Sequence, residues 1–413
     1  MSRIRIKDFG PIKEGYLDND GWIEVNKVTV FIGNQGSGKS TVAKLISTLT
    51  WIEKAMIKRE IKQDELSVYN RFVKRLEYQR INNYIKPQTV IEYQGDAFTF
   101  IFLNGVFYTS PISEERYVLP KIMYVPAERN FLSVVDRPDR LKELPSPLFT
   151  FLDEYDRARN LYYEGLTLPI NGVQFVYDRQ NKIAHIAEAD YQLRLSEASS
   201  GFQSTVPLFL VTKYLSEFLF RENGNAINEQ SIEEERRLEK EMQEIQAILD
   251  DPEVSPDVKQ AYLRRISAKR RPSCFINIVE EPEQNLFPSS QWQMLQSLLE
   301  FNNINDGNKL IITTHSPYII NFLSIAIQAD YLKNKIIEAG KQEELLPKIW
   351  NVISDKSLIS SDSVIVYQLN ETDGHIKRLS APEGIPTDKN YLNDMLREGN
   401  NLFDILLEIE EEI

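Results

Sequence analysis

The sequence predicts an α/β protein: a mainly parallel sheet between helices, an antiparallel β annex, and a short helical hairpin inserted into the domain. Three observations predict it. Compact apolar strands alternate with stretches of helical periodicity on both sides of the chain's midpoint. Around 89–109 and 173–195, short β-rich runs follow one another with only turns between them. Between 225 and 271 the composition turns polar and highly charged, with Ile232, Leu238, Met242, Ile245 and Leu249 near an a/d seam.

In chain order, RIRIKDF, WIEV and VTVFIG within 3–33 read as strands from their β-branched content. Gly33 to Gly38 is a glycine-rich loop, and Val42, Leu45, Ile46 and Leu49 then recur at helical spacing. A second helix with aromatic content is expected over 66–86, then an antiparallel meander over 89–109 and a strand over 121–125. Residues 145–165 read as helix. VQFVYD and KIAHI form a hairpin around Arg179, Gln180 and Asn181, and YQLRL adds a strand. From Gly201 an apolar helix runs to about Phe220. DDPEVSPD is the turn of the charged hairpin. FINIV (275–279) and KLIITT (309–314) are buried strands, 289–300 is a helix, and helix, SVIVYQL, HIKRL and NLFDILLEIEEEI complete the chain. The division expected is a core unit of 1–224 and 273–413 interrupted by a hairpin at 225–272.

Composition bounds the function. The chain has 413 residues, 48 Lys plus Arg and 61 Asp plus Glu, for a net charge of −13. The 42 % apolar content is far above that of disordered chains, and the length allows one large elaborated domain or two to three core units. The acidic balance argues against bulk attraction to nucleic acid. A single cysteine, Cys274, excludes a disulfide framework and a Cys-based zinc site and suits the cytoplasm. His185, His315 and His375 lack metal-ligand spacing. The N-terminus has no apolar signal region, and no apolar run approaches the ~18 residues of a membrane span.

Chemistry concentrates in four places. Gly33-Asn34-Gln35-Gly36-Ser37-Gly38-Lys39-Ser40 fits G-x-x-x-x-G-K-[ST] without mismatch, followed by Thr41. Glycines let such a loop curl its N–H groups toward phosphate, and the following helix adds its dipole. Lys39 reaches the outer phosphates and Ser40 ligates Mg²⁺, so ATP with Mg²⁺ is expected. In FINIVEEPEQNLFP a strand ends in Glu280 and Glu281. With a phosphate loop upstream, Glu280 is expected to hold Mg²⁺ through water and Glu281 to polarise the attacking water. The alternative is a solvated charge pair. His315 follows KLIITT, a strand expected beside FINIV, which suggests a γ-phosphate sensor over a merely structural histidine. Ser199, Ser200 and Gly201 open a helix, an anion site by construction and, alone, only a good N-cap.

In this order the four pieces resemble the ABC-type ATPases, in particular the branch of overcoming-lysogeny-defect, RecF and SMC heads. Ser200-Gly201-Phe202-Gln203 matches the S-G-G-Q signature except at Phe202, EEPEQNLFP resembles D-E-P-E-x-x-L-H-P, and THSP matches the switch-histidine segment. The resemblance covers nearly the whole chain. It implies a homo-oligomer, at least a dimer, that sandwiches ATP between the Walker residues of one copy and Ser199, Ser200, Gly201 and Gln203 of the other. Glu280 stands where an aspartate is usual and Phe287 where a histidine is frequent. VPAERNF (125–131) is also familiar from this branch, but the sequence assigns Glu128 and Arg129 no role; an ion pair in the core is the alternative. Gln79 is a weak counterpart of the Q-loop glutamine, more simply a residue of an exposed helix face.

YLRRISAKRRP (262–272) is the one dense basic cluster, a candidate contact for DNA, RNA or an acidic partner, or else a solvated face opposite the Glu-rich helix. Three uses of ATP compete. An autonomous kinase needs no signature segment, and a fused nuclease would need a D-x-D cluster that does not occur after His315. A RecF-like DNA-repair clamp predicts a basic groove, against the net charge. The leading expectation is therefore a switch subunit resembling the ATPases of two-gene phage-defence systems, the AriA type of PARIS ahead of the PtuA type of Septu. That resemblance implies a separate effector, a nuclease, released on a phage-derived trigger, with no membrane partner.

Overall fold

The computed structural model describes residues 2–229 and 272–411, apart from 69, 114–116, 136–137, 141–142 and 189, and the side chains of these residues except those of 139 and 218–229. Most of the hairpin expected at 225–272, with Arg264, Arg265, Lys269, Arg270 and Arg271 of its basic cluster, lies outside the described residues.

The N-terminal part contains β1 (Arg3–Phe9), β2 (Gly15–Tyr16), β3 (Ile23–Glu24), β4 (Val28–Gly33) and α1 (Lys39–Ile57). Where one helix was expected over 66–86, the chain forms only α2 (Arg71–Glu77), between single 3-10 turns at Glu65–Ser67 and Asn82–Tyr84. Asn70 and Arg80 take positive φ of 63° and 56°, and a left-handed residue ends a right-handed helix. The meander is β5 (Ile85–Gln94), β6 (Phe98–Leu103) and β7 (Val106–Pro111), followed by β8 (Pro120–Val125), α3 (Phe131–Val134) and α4 (Ser146–Leu161). A second annex comprises β9 (Leu166–Thr167), β10 (Gln174–Asp178), β11 (Ile183–Ala187) and β12 (Gln192–Arg194). Asp178 Oδ1 accepts from the Gln180 and Asn181 amides and so tightens the β10–β11 turn. Then follow α5 (Ser200–Glu229), β13 (Cys274–Glu280), α6 (Pro288–Asn303), β14 (Lys309–Thr314), α7 (Pro317–Glu338), α8 (Gln342–Trp350), β15 (Val364–Leu369), β16 (His375–Arg378) and α9 (Tyr391–Glu411).

The central sheet runs β2-β16-β15-β4-β14-β13-β8. Its five strands from β15 to β8 are parallel, and β16 joins β15 antiparallel. Both faces are covered, which explains why these strands read as continuous apolar runs. On β4, Val28, Val30 and Ile32 face a core shared with α4, α5, α6 and α7, whereas Phe31 faces a second core shared with α1 and the annex of β1, β3, β5, β6 and β7. That annex is an antiparallel sheet ordered β3-β1-β5-β6-β7, and β9–β12 form a separate antiparallel sheet. Among the described residues no helix is long and apolar enough to cross a membrane. Helix α9 starts at Tyr391, earlier than the apolar pattern suggested, and buries none of its residues: Leu402, Phe403, Leu406 and Ile409 are all more than half exposed.

Candidate active site

Parallel strands gather their carboxyl ends on one edge of a sheet, where ligands of α/β proteins bind. Here β4, β14 and β13 bring three sequence signals to that edge. The loop after β4 needs its glycines for separate reasons. A Cβ on Gly33 would lie 2.3 Å from the Leu369 carbonyl of β15, and one on Gly38 3.1 Å from Ile12. Gly36 has open space above it, but its φ of 77° suits glycine. Asn34 Oδ1 accepts from the Gln35 amide at 2.8 Å, and the Gly38 carbonyl begins α1 by accepting from Val42.

Lys39 is 5 % exposed, and its Nζ donates to the carbonyls of Gly33 (2.9 Å) and Asn34 (2.8 Å). Burial pulls the ammonium down to about 8, and the negative charges of Glu281, Glu283, Glu280 and Glu371 offset only part of that. The Ser37 hydroxyl is buried without a hydrogen-bond partner, whereas Ser40 is half-buried. A polyphosphate fits this loop: it offers acceptors to a desolvated cation now held by the loop's own carbonyls. Phosphate charge would restore the proton to Lys39. ATP binding at pH 8 is therefore expected to take up about half a proton, and essentially none below pH 7, as read by calorimetry in buffers of different ionisation enthalpy.

The parallel pairing of β13 with β14 places Glu280 opposite Thr313. One residue on, the Glu281 amide donates to the Thr313 carbonyl at 2.8 Å. Glu281 is left-handed, with φ 45°, an unusual state for a side chain of this size. Its carboxylate Oε1 lies 3.6 Å from His315 Nε2, and His315 Nδ1 lies 3.5 Å from Lys39 Nζ. Lys39, His315 and Glu281 thus stand in line. Burial, then the Lys39 charge, holds His315 below the usual imidazole range; burial, then Glu280, raises the Glu281 carboxyl. Glu280 is 5 % exposed; its Oε2 accepts from the Ala127 amide at 3.3 Å, and its carboxylate lies beside the buried Tyr124 hydroxyl. A buried carboxylate at this sheet edge is the oxygen donor a hard cation or its bound water requires, so the residue fits Mg²⁺ despite the extra methylene.

The signature segment is fixed to the carboxylate strand. Gly201 is needed because a Cβ would lie 3.0 Å from the Asn285 carbonyl, and Asn285 Nδ2 donates to Ser204 Oγ at 3.1 Å. Ser199 and Ser200 are exposed. Gln203 turns its Nε2 back to the carbonyls of Ser196 and Ala198, both at 3.0 Å, so its side chain shapes the turn.

Four residues carry more than the sequence suggested. Among the described residues Arg129 forms no carboxylate ion pair; its guanidinium donates to main-chain carbonyls, including those of Glu280 and Glu281. Glu283 Oε1 accepts from the His315 amide at 2.8 Å and so seats the histidine; its place in the E-E-P-E run was the available signal. Glu371 Oε1 accepts from Asn34 Nδ2 at 3.0 Å and from the Tyr391 hydroxyl at 2.9 Å, which ties the phosphate loop to the start of α9. Gln79 is buried, not on an exposed face, and its amide turns to Ser47 of α1 at 3.4 Å.

Residues 258–320 match a family model described as an AAA ATPase domain. No curated protein matches the sequence. Among solved structures, the chain is similar to the SMC head domain from Thermotoga maritima (11 % identity, TM-score 0.37, covering 92 % of this chain and 98 % of that one). It is also similar to an SMC head bound to the C-winged helix domain of ScpA (9 %, 0.30, 91 % and 96 %) and to an ATP-binding cassette in a dimeric post-hydrolysis state with ADP and Pi (11 %, 0.26, 78 % and 91 %). The matched segment contains Glu280, Glu281, Glu283 and His315. The Gly33–Ser40 loop at the end of β4 lies at the same edge of the sheet as this segment.

Proposed function

We propose that this chain is an ATP-binding and hydrolysing switch subunit of the ABC type, whose copies close in pairs on ATP and act on a separate effector protein. The observation that carries the reading is the line of Lys39, His315 and Glu281 at one sheet edge, in a chain whose Ser200 stands exposed at a helix N-terminus. Each site is then completed across a two-fold: residues 33–41 of one copy face Ser199, Ser200, Gly201 and Gln203 of the other.

Lys39 and the loop amides bind the phosphates, and Ser40 and Glu280 hold Mg²⁺. When bound, Mg²⁺ neutralises phosphate charge. Glu281 orients water and accepts its proton, a task that its raised carboxyl pKa suits. His315 hydrogen-bonds the terminal phosphate. An effector nuclease and a phage-derived trigger follow from the resemblance described above. The exposed apolar stripe of α9 supports contact with another protein.

Tagged Glu281→Gln protein, purified from its native host with ATP and Mg²⁺, tests the reading. A stoichiometric second protein with little 260 nm absorbance supports the switched effector. Tightly bound nucleic acid without a protein partner favours a RecF-like repair clamp, with 262–272 as its contact. Ser200→Arg is expected to bind ATP within about twofold of wild type but to lose ATP-dependent dimerisation in sedimentation. Undiminished assembly would rule out the sandwich.

A further inference from the structure

We propose that Arg129 is a positioning residue that couples the signature helix to the catalytic glutamate of the same copy, so that closure on one nucleotide sets the base that serves the other. The inference rests on the sandwich reading above. Arg129 is fully buried. Its Nε donates to the Ser204 carbonyl in α5 at 3.1 Å, its Nη1 to the Glu280 carbonyl at 2.7 Å and the Pro126 carbonyl at 3.3 Å, and its Nη2 to the Glu281 carbonyl at 2.6 Å. Burying a guanidinium is costly unless its donors are matched, and here its planar donors are matched by main-chain carbonyls of three chain segments. Packing of the core does not require such a residue; a rigid bridge between segments does.

Both ends of the bridge are prepared for it. Pro207, inside α5, has no N–H to offer the Gln203 carbonyl four residues before it, and Ser133 Oγ donates to that carbonyl at 2.8 Å. Arg129 and Ser133, one helical turn apart, therefore grip consecutive carbonyls at the end of the signature. At the other end, Glu281 keeps its left-handed backbone because it is held from several sides. Its amide is bound to Thr313, and its carbonyl accepts from both the Gln284 amide and Arg129. A displacement of Ser204 is passed through one planar group to the peptide that aims the Glu281 carboxylate. In a sandwich, the signature touches the nucleotide held by the partner, whereas Glu281 serves the nucleotide held by its own loop. The bridge thus links the two sites of one dimer.

Arg129→Lys and Arg129→Met test this against Glu281→Gln, with a fluorescent ATP analogue for binding, steady-state hydrolysis against ATP, and thermal melting. Wild type is expected to show a Hill coefficient well above 1. Arg129→Met should bind the analogue within about threefold of wild type, lose at least about tenfold in kcat and fall to a Hill coefficient near 1, with Arg129→Lys recovering part of both. A wild-type coefficient of 1, or variants with wild-type kcat and coefficient, overturns the inference. So does a loss of binding in step with kcat, which would make Arg129 only structural. If Arg129→Met does not fold, Arg129→Lys and Ser133→Ala decide by the same criteria. Wild-type hydrolysis by Glu281→Gln would instead overturn the site assignment itself, whatever Arg129 does.

Discussion

Glu281→Gln is expected to bind ATP as wild type does, to hydrolyse it roughly 10²- to 10⁴-fold more slowly, and to persist as an ATP-bound dimer. The substitution keeps the shape of the side chain and removes only its capacity to take a proton. The backbone that aims it is set independently, through the Thr313 carbonyl and Arg129, so no rearrangement should accompany the change. A pH profile adds a second signature. Burial and the neighbouring Glu280 raise the Glu281 carboxyl, so the base is lost as pH falls through a value above the ordinary carboxylate range. The acid limb of wild-type kcat should therefore lie above that range, and the residual activity of Glu281→Gln should lack it. His315 is held below its usual range by burial and the Lys39 charge, so its protonation also falls on the acid side, and the comparison with Glu281→Gln is what assigns the limb to Glu281. Hydrolysis by Glu281→Gln at the wild-type rate would remove Glu281 from the chemistry.

The parts of the fold and site that the sequence made legible are those with strong local rules. The glycine-rich loop is one, because glycine is demanded at Gly33 by a neighbouring carbonyl and at Gly38 by a φ of 100°, and a lysine follows. The central strands are another: buried on both faces, they write unbroken apolar runs such as FINIV and KLIITT. The neighbour relation of these two strands, and with it the closeness of Glu281 and His315, followed from the same runs. Residues 66–86 were misread because aromatic side chains at roughly helical spacing do not reveal left-handed Asn70 and Arg80. Arg129 was illegible for a different reason. Its partners are backbone carbonyls, which leave no residue-type signature, so a lone arginine in VPAERNF suggests an ion pair that is not found among the described residues. Glu371 is 332 residues from Lys39 in the chain, and only the β15–β4 pairing brings its strand beside the loop.

Lys39→Ala, or Lys39→Met where the stem is to be kept, is expected to abolish nucleotide binding without weakening the unliganded protein. Two charge-assisted hydrogen bonds to phosphate, at roughly 1.5–3 kcal/mol each, amount to about 10²- to 10⁴-fold in Kd. The unliganded protein responds in the opposite direction. Holding the Lys39 ammonium in a site where its pKa falls from 10.5 to about 8 costs up to roughly 3 kcal/mol at pH 7. Methionine removes that cost, keeps the apolar stem, and gives up hydrogen bonds to two loop carbonyls. The variant should therefore melt no lower than wild type at pH 7. The sign of the pH dependence follows from the depressed pKa. Between pH 8 and 10.5 the unfolded lysine binds more protons than the folded one, so wild-type stability rises relative to the variant across that window and is level with pH below it. Melting curves of both proteins at pH 7 and pH 10, with and without ATP, separate the two effects. ATP should raise the melting temperature of wild type only, and the variant's advantage at pH 7 should shrink at pH 10. A variant still stabilised by ATP would show that Lys39 does not hold the phosphates.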